Sequence, residues 1–107
     1  PGPDWSIVKL AATGSVNKVI IDTCHFKGNF PDTFALDACV IEAGQQPDEN
    51  TQWTNVIDRQ KLTADAEHFY KDEVKTGEQA FTHVRLSIFP DGGVSRLRVF
   101  GFPEKKA

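Results

Sequence analysis

The chain has 107 residues, 39% of them hydrophobic and 25% charged, with a net charge of −3 at neutral pH. These figures describe a single globular domain that folds without metal or disulfide staples, and they exclude a disordered chain. The acidic balance argues against a nucleic-acid partner, and no apolar run approaches the roughly 20 residues of a membrane span.

The start, Pro1-Gly2-Pro3-Asp4, carries no basic segment followed by an apolar stretch, as a signal peptide would. It runs straight into a strand-like segment and reads as the cut edge of a longer protein. Apolar and polar residues then alternate over residues 5–10, 16–23, 35–43, 53–57, 68–71, 81–89 and 94–100, which predicts seven or eight strands. Glycine and proline mark the breaks between them: Thr13-Gly14-Ser15, residues 27–32, residues 44–52, and Pro90-Asp91-Gly92-Gly93. Residues 44–52 are the best candidate for a mobile loop. The only helical candidate is 61–68, with Thr63 and Asp65 as caps; it is too short to hold alone and reads as a turn or a single helical loop. Short strands without real helices predict an all-β fold, an antiparallel β-sandwich or jelly roll.

The last two strands form the clearest unit. A hairpin turning at Asp91–Gly93 with Phe89 opposite Val94 would set Leu86 opposite Leu97 and Val84 opposite Val99, both pairs toward the core. The other face would carry His83, Arg85, Ser87, Arg96 and Arg98, with Arg85 opposite Arg98. Like charges directly opposite destabilise a sheet pair, so something must neutralise them. One answer is structural: acidic residues on an adjacent strand, or solvent. The other is functional: an anionic ligand held by guanidinium forks.

The stretch 22–32, Asp-Thr-Cys-His-Phe-Lys-Gly-Asn-Phe-Pro-Asp, is the other dense spot. Loops at the end of a rigid sandwich are where binding chemistry tends to sit. His25 can act as general acid or base near neutral pH, Lys27 can bind an anion, and Asn29 can hold an amide or urea group through donor and acceptor together. The plain alternative is a turn in which Asn29 and Asp32 bond their own backbone while Phe26 and Phe30 anchor the loop. His68, before Phe69 and Tyr70, reads as a structurally satisfied histidine. Trp5 and Trp53 read as core or rim aromatics. His25, His68 and His83 are separated by 43 and 15 residues, which matches no compact metal motif, so no metal ligand is assigned. Cys24 and Cys39 lie on neighbouring predicted strands and could pair; free thiols in an intracellular protein are the expectation.

Two long segments carry a family resemblance. Residues 22–32 and the stretch from Thr82 to Gly101 resemble the signature of the allantoicase repeat, and the opening Asp4-Trp5-Ser6-Ile7-Val8-Lys9-Leu10 and the Leu62…Asp65…His68-Phe69 pattern also fit. The His25-Phe26-Lys27 form looks like the second of the family's two repeats. The resemblance covers nearly the whole chain. It implies a galactose-binding-like jelly roll and the hydrolysis of allantoate to ureidoglycolate and urea in purine degradation. It further implies a cytoplasmic parent with a second repeat as partner, a homo-oligomer, and no cofactor, with metal dependence left open. Residues 1–107 would then be one repeat, lacking its N-terminal part. With allantoate as substrate, His25 and His83 become the candidate catalytic residues, and Lys27, Asn29, Arg85 and Arg96 the candidate substrate-binding ones. Two other readings compete: a non-catalytic module binding carbohydrate or protein, and a structural repeat whose arginine face packs on its partner.

Overall fold

The computed structural model describes residues 4–25, 28, 31–89, 94 and 96–104. It contains seven strands: β1 (Asp4–Ser15), β2 (Lys18–Asp22), β3 (Thr33–Cys39), β4 (Thr54–Lys61), β5 (Glu67–Tyr70), β6 (Ala80–Phe89) and β7 (Arg96–Phe100). They form a four-stranded sheet in the order β1-β6-β3-β4 and a three-stranded sheet in the order β5-β2-β7, with every pairing antiparallel. Among the described residues no helix is long and apolar enough to cross a membrane.

Alternation along each strand decides which side is buried. In β3, Phe34, Leu36 and Ala38 are fully buried while Ala35 and Asp37 point away; in β6, Val84 and Leu86 face inward. From the smaller sheet, Val19 and Ile21 of β2 and Tyr70 of β5 meet them. Phe34 and Tyr70 pack edge to face across the sandwich at 4.8 Å between ring centres, so the two sheets share one core.

The expected strands 81–89 and 94–100 both exist, but they do not form a hairpin. β6 pairs with β1 and β3, whereas β7 pairs with β2 in the other sheet. The chain crosses from one sheet to the other between them, and the turn residues 90–93 lie outside the described residues. Arg85 therefore does not face Arg98. Its cross-strand neighbours are Ile7 and Asp37, and that of Arg98 is Ile20. Core-facing Val84 and Leu86, with partly buried Leu97 and Val99, keep the sides expected of them, because burial is set by alternation and not by which strand is the partner.

Thr13-Gly14-Ser15 is not a turn but the end of β1. Its glycine serves a close approach: a Cβ on Gly14 would lie 2.3 Å from the Phe102 carbonyl oxygen, and one on Gly101 would lie 1.6 Å from that of Ser15. Ser15 and Asn17 donate backbone hydrogen bonds to Phe102 and Phe100, and Glu104 donates to Thr13, so the C-terminal segment is laced to the start of the domain. β4 runs on to Lys61, which leaves only a five-residue bend where the one helical candidate stood.

Candidate functional site

β2 ends at Asp22, and the bend between β4 and β5 is stapled to that end. Thr23 is fully buried; its amide donates to Ala66 O at 2.9 Å, and its hydroxyl lies 2.7 Å from Thr63 O and 3.1 Å from Ala66 O. His68 adds a second staple. Its Nε2 accepts the Thr63 amide at 2.9 Å, so Nδ1 carries the proton and donates to Ile21 O at 3.1 Å. Both ring nitrogens are thereby engaged, and His68 is the structural histidine the sequence suggests.

His25 follows in an unusual backbone conformation, with φ of 74°. Its amide donates to Asp65 Oδ1 at 2.7 Å, and Asp65 has φ of 48°. Left-handed conformations at non-glycine residues cost on the order of 1–3 kcal/mol each and persist where surrounding contacts over-determine them. Here each member of the pair helps to hold the other, and His25 stays exposed to solvent.

Arg96 lies across the β2–β7 ladder from Asp22, at the same end of the smaller sheet as His25. It is exposed, and it forms no ion pair with any described residue. Arg98, two residues on, is committed to Glu67 at 2.5 Å. Hydrogen bonds from Cys24 hold the Asp22 carboxyl below the usual carboxylate range, and the charges of Arg96 and Arg98 add to the effect. The same contact keeps Cys24 protonated: donation to Asp22 pushes its thiol up to about 11.

His83 and Arg85 lie elsewhere. They alternate with Val84 and Leu86 on β6, so they project from the outer face of the larger sheet. Arg85 reaches Asp37 at 3.3 Å and stacks with its guanidinium 4.5 Å from the Trp53 ring centre, while Asn55 Nδ2 donates to Asp37 Oδ1 at 3.0 Å. His83 is 5% exposed, its Nδ1 lies 2.8 Å from Thr82 Oγ1, and burial, with the neighbouring Lys9 charge, lowers its pKa.

The structure thus sets His25 and Arg96 at the same end of the smaller sheet. It separates them from His83 and Arg85, which stand on the opposite side of the sandwich, so Arg85 and Arg96 of one chain cannot close on one carboxylate. Lys27 and Asn29 lie outside the described residues. Among the described residues no group of histidine, cysteine, aspartate and glutamate side chains is placed to hold a metal ion. Cys24 follows the end of β2 and Cys39 ends β3, which leads away in the other sheet, and neither forms a disulfide. Asp37 was missed in the sequence, and Asp65 and Thr23 were read only as a cap and family-pattern residue and as part of the 22–32 stretch. Asp37 was detectable as the lone charge in the apolar run 34–39; nothing local marks Thr23 or Asp65 as partners of a loop some 40 residues away.

The allantoicase-repeat family model matches residues 1–104 of the chain. The chain belongs to the allantoicase family. A probable allantoicase of Pseudomonas syringae pv. syringae is 47% identical over 104 residues, covering 94% of this chain and 31% of that protein. The allantoicase of Dictyostelium discoideum is 46% identical over 103 residues, covering 92% of this chain and 27% of that one. The crystal structure of the Saccharomyces cerevisiae allantoicase superposes with a TM-score of 0.77 at 34% identity, over 94% of this chain and 28% of that chain. The chain therefore spans less than a third of the length of these allantoicases, and the allantoicase fold at this repeat is the all-β sandwich described above.

Proposed function

We propose that the chain works as one repeat of an allantoicase, which splits allantoate and water into ureidoglycolate and urea in purine degradation. The observation that carries this reading is the placement, at one end of the smaller sheet, of an exposed His25 held by its backbone and an exposed Arg96 that forms no ion pair with any described residue.

Allantoate has one carbon bearing a carboxylate and two ureido groups. Breaking one of its C–N bonds requires a grip on the carboxylate, a proton for the departing nitrogen and removal of a proton from the attacking water. Arg96 offers a planar fork to the carboxylate. His25 delivers the proton to the leaving urea nitrogen and recovers one from water, as an imidazole near neutral pH does. Lys27 and Asn29, from the same loop in sequence, bind a ureido carbonyl. Donation to Asp22 pushes the Cys24 thiol up to about 11, which disfavours it as the nucleophile.

Arg85 takes a different part. The Arg85–Asp37–Trp53 cluster lies beside Trp5 and Ile7, which are 58% and 37% exposed. This favours a packing role for the outer face of the larger sheet, against the second repeat of the parent or another copy in a homo-oligomer. We place the protein inside the cell, in the cytoplasm, where its two thiols stay reduced. A urea-release assay with allantoate on the full-length protein and its His25→Ala variant tests the reading. Wild-type release that the variant loses is expected; equal release by both removes His25 from the reaction.

A further inference from the structure

We infer that Asp65 is a positioning residue for the reaction, acting through His25. The inference rests on the reading of His25 proposed above. Several observations converge on it. The Asp65 carboxylate accepts the His25 amide at 2.7 Å. Both residues adopt left-handed backbone conformations, which neither side chain type favours over the right-handed ones. The bend that carries Asp65 is fixed from two sides: by Thr23, through the carbonyls of Thr63 and Ala66, and by His68, through the Thr63 amide. The anchor points for these staples, Ile21 and Thr23, lie on or just past β2, a few residues before His25 itself.

The consequence is mechanical. A histidine three residues past a strand end has a free choice of backbone conformation and would swing its ring with it. The carboxylate of Asp65 removes that choice by capturing the amide, and the staples prevent Asp65 from following. The bend between β4 and β5 therefore serves as a fixed bracket that aims the His25 ring. Asp65 makes no contact with substrate in this arrangement; it sets where His25 stands.

Two substitutions separate this role from simple loop stability, and both tolerate the φ of 48° at position 65. Asp65→Asn keeps a side-chain oxygen for the His25 amide. Asp65→Gly removes the acceptor while easing the backbone. In the full-length protein assayed for urea release from allantoate, Asp65→Asn should stay within about threefold of wild type. Asp65→Gly should lose kcat on the order of 100-fold, the scale for misplacing a reacting group by about 1 Å, with KM changed by less than about threefold. In a His25→Ala background Asp65→Gly should have no further effect on kcat.

Retention of wild-type kcat by Asp65→Gly overturns the inference, as does an Asp65→Asn variant that falls as far as Asp65→Gly. A further loss of kcat from Asp65→Gly in the His25→Ala background also overturns it, since Asp65 would then act by another route. Failure of the underlying reading looks different: His25→Ala itself would release urea at the wild-type rate.

Discussion

Arg85 on β6 lies directly across the ladder from Asp37 on β3, and its guanidinium both reaches that carboxylate and stacks on Trp53. The pair is less than a third exposed on each side. Removing one partner strands the other charge in partial burial, so Asp37→Ala should cost about 1–3 kcal/mol. Urea denaturation with an unchanged m-value checks the size. Turnover per folded molecule should stay at the wild-type level.

Core substitutions test the face assignment. Leu36 is completely buried and Leu86 is 9% exposed. Leu36→Ala should fall toward the upper part, and Leu86→Ala toward the lower part, of the range of about 2–5 kcal/mol for such deletions. A loss below about 1 kcal/mol at Leu36 would mean that β3 buries its other face.

The seven strands were legible in the sequence because burial imposes period-two alternation wherever one face is covered, as in the run Phe34-Ala35-Leu36-Asp37-Ala38. Sheet membership was not. The turn signal of Pro90-Asp91-Gly92-Gly93 fits a crossing between sheets as well as it fits a hairpin, and nothing local to β7 states that its partner is β2. The same limit governed the site. His25 and Arg96 carry recognisable chemistry in their own segments. Arg85 was grouped with Arg96 through a ladder that does not form, and the hold of Asp65 on His25 joins residues 40 apart.

His83 links stability to pH. Its folded-state pKa lies below the ordinary 6.5, first because of burial and second because of Lys9. The unfolded chain therefore binds the proton more readily. Stability is fully present above about pH 6.5 and declines as pH falls toward the lower folded value. The melting temperature should drop between pH 7 and pH 5, and His83→Gln should flatten that drop. An identical drop in the variant would assign it to other groups.

Cys24 should react slowly. With its thiol pushed up to about 11, only about one molecule in a thousand carries the thiolate at pH 8. Alkylation of the native protein should accelerate about tenfold per pH unit from pH 8 to pH 10. A rate that levels off near pH 9 would show an ordinary thiol. Asp22→Ala, which removes the acceptor, should bring the plateau down toward that value.

We propose that the His25–Arg96 end of the smaller sheet, and not the Arg85 face of the larger one, holds the substrate. The most direct measurement is urea release from allantoate by the full-length protein carrying Arg96→Lys or Arg85→Lys, with the melting temperature of each. Lysine lacks the bidentate fork. Arg96→Lys should lose about 2–5 kcal/mol of transition-state binding, about 30-fold to several-thousand-fold in kcat/KM, at an unchanged melting temperature. Arg85→Lys should lower the melting temperature and leave turnover per folded molecule intact. The reverse pattern, with turnover lost in Arg85→Lys and kept in Arg96→Lys, would contradict the account.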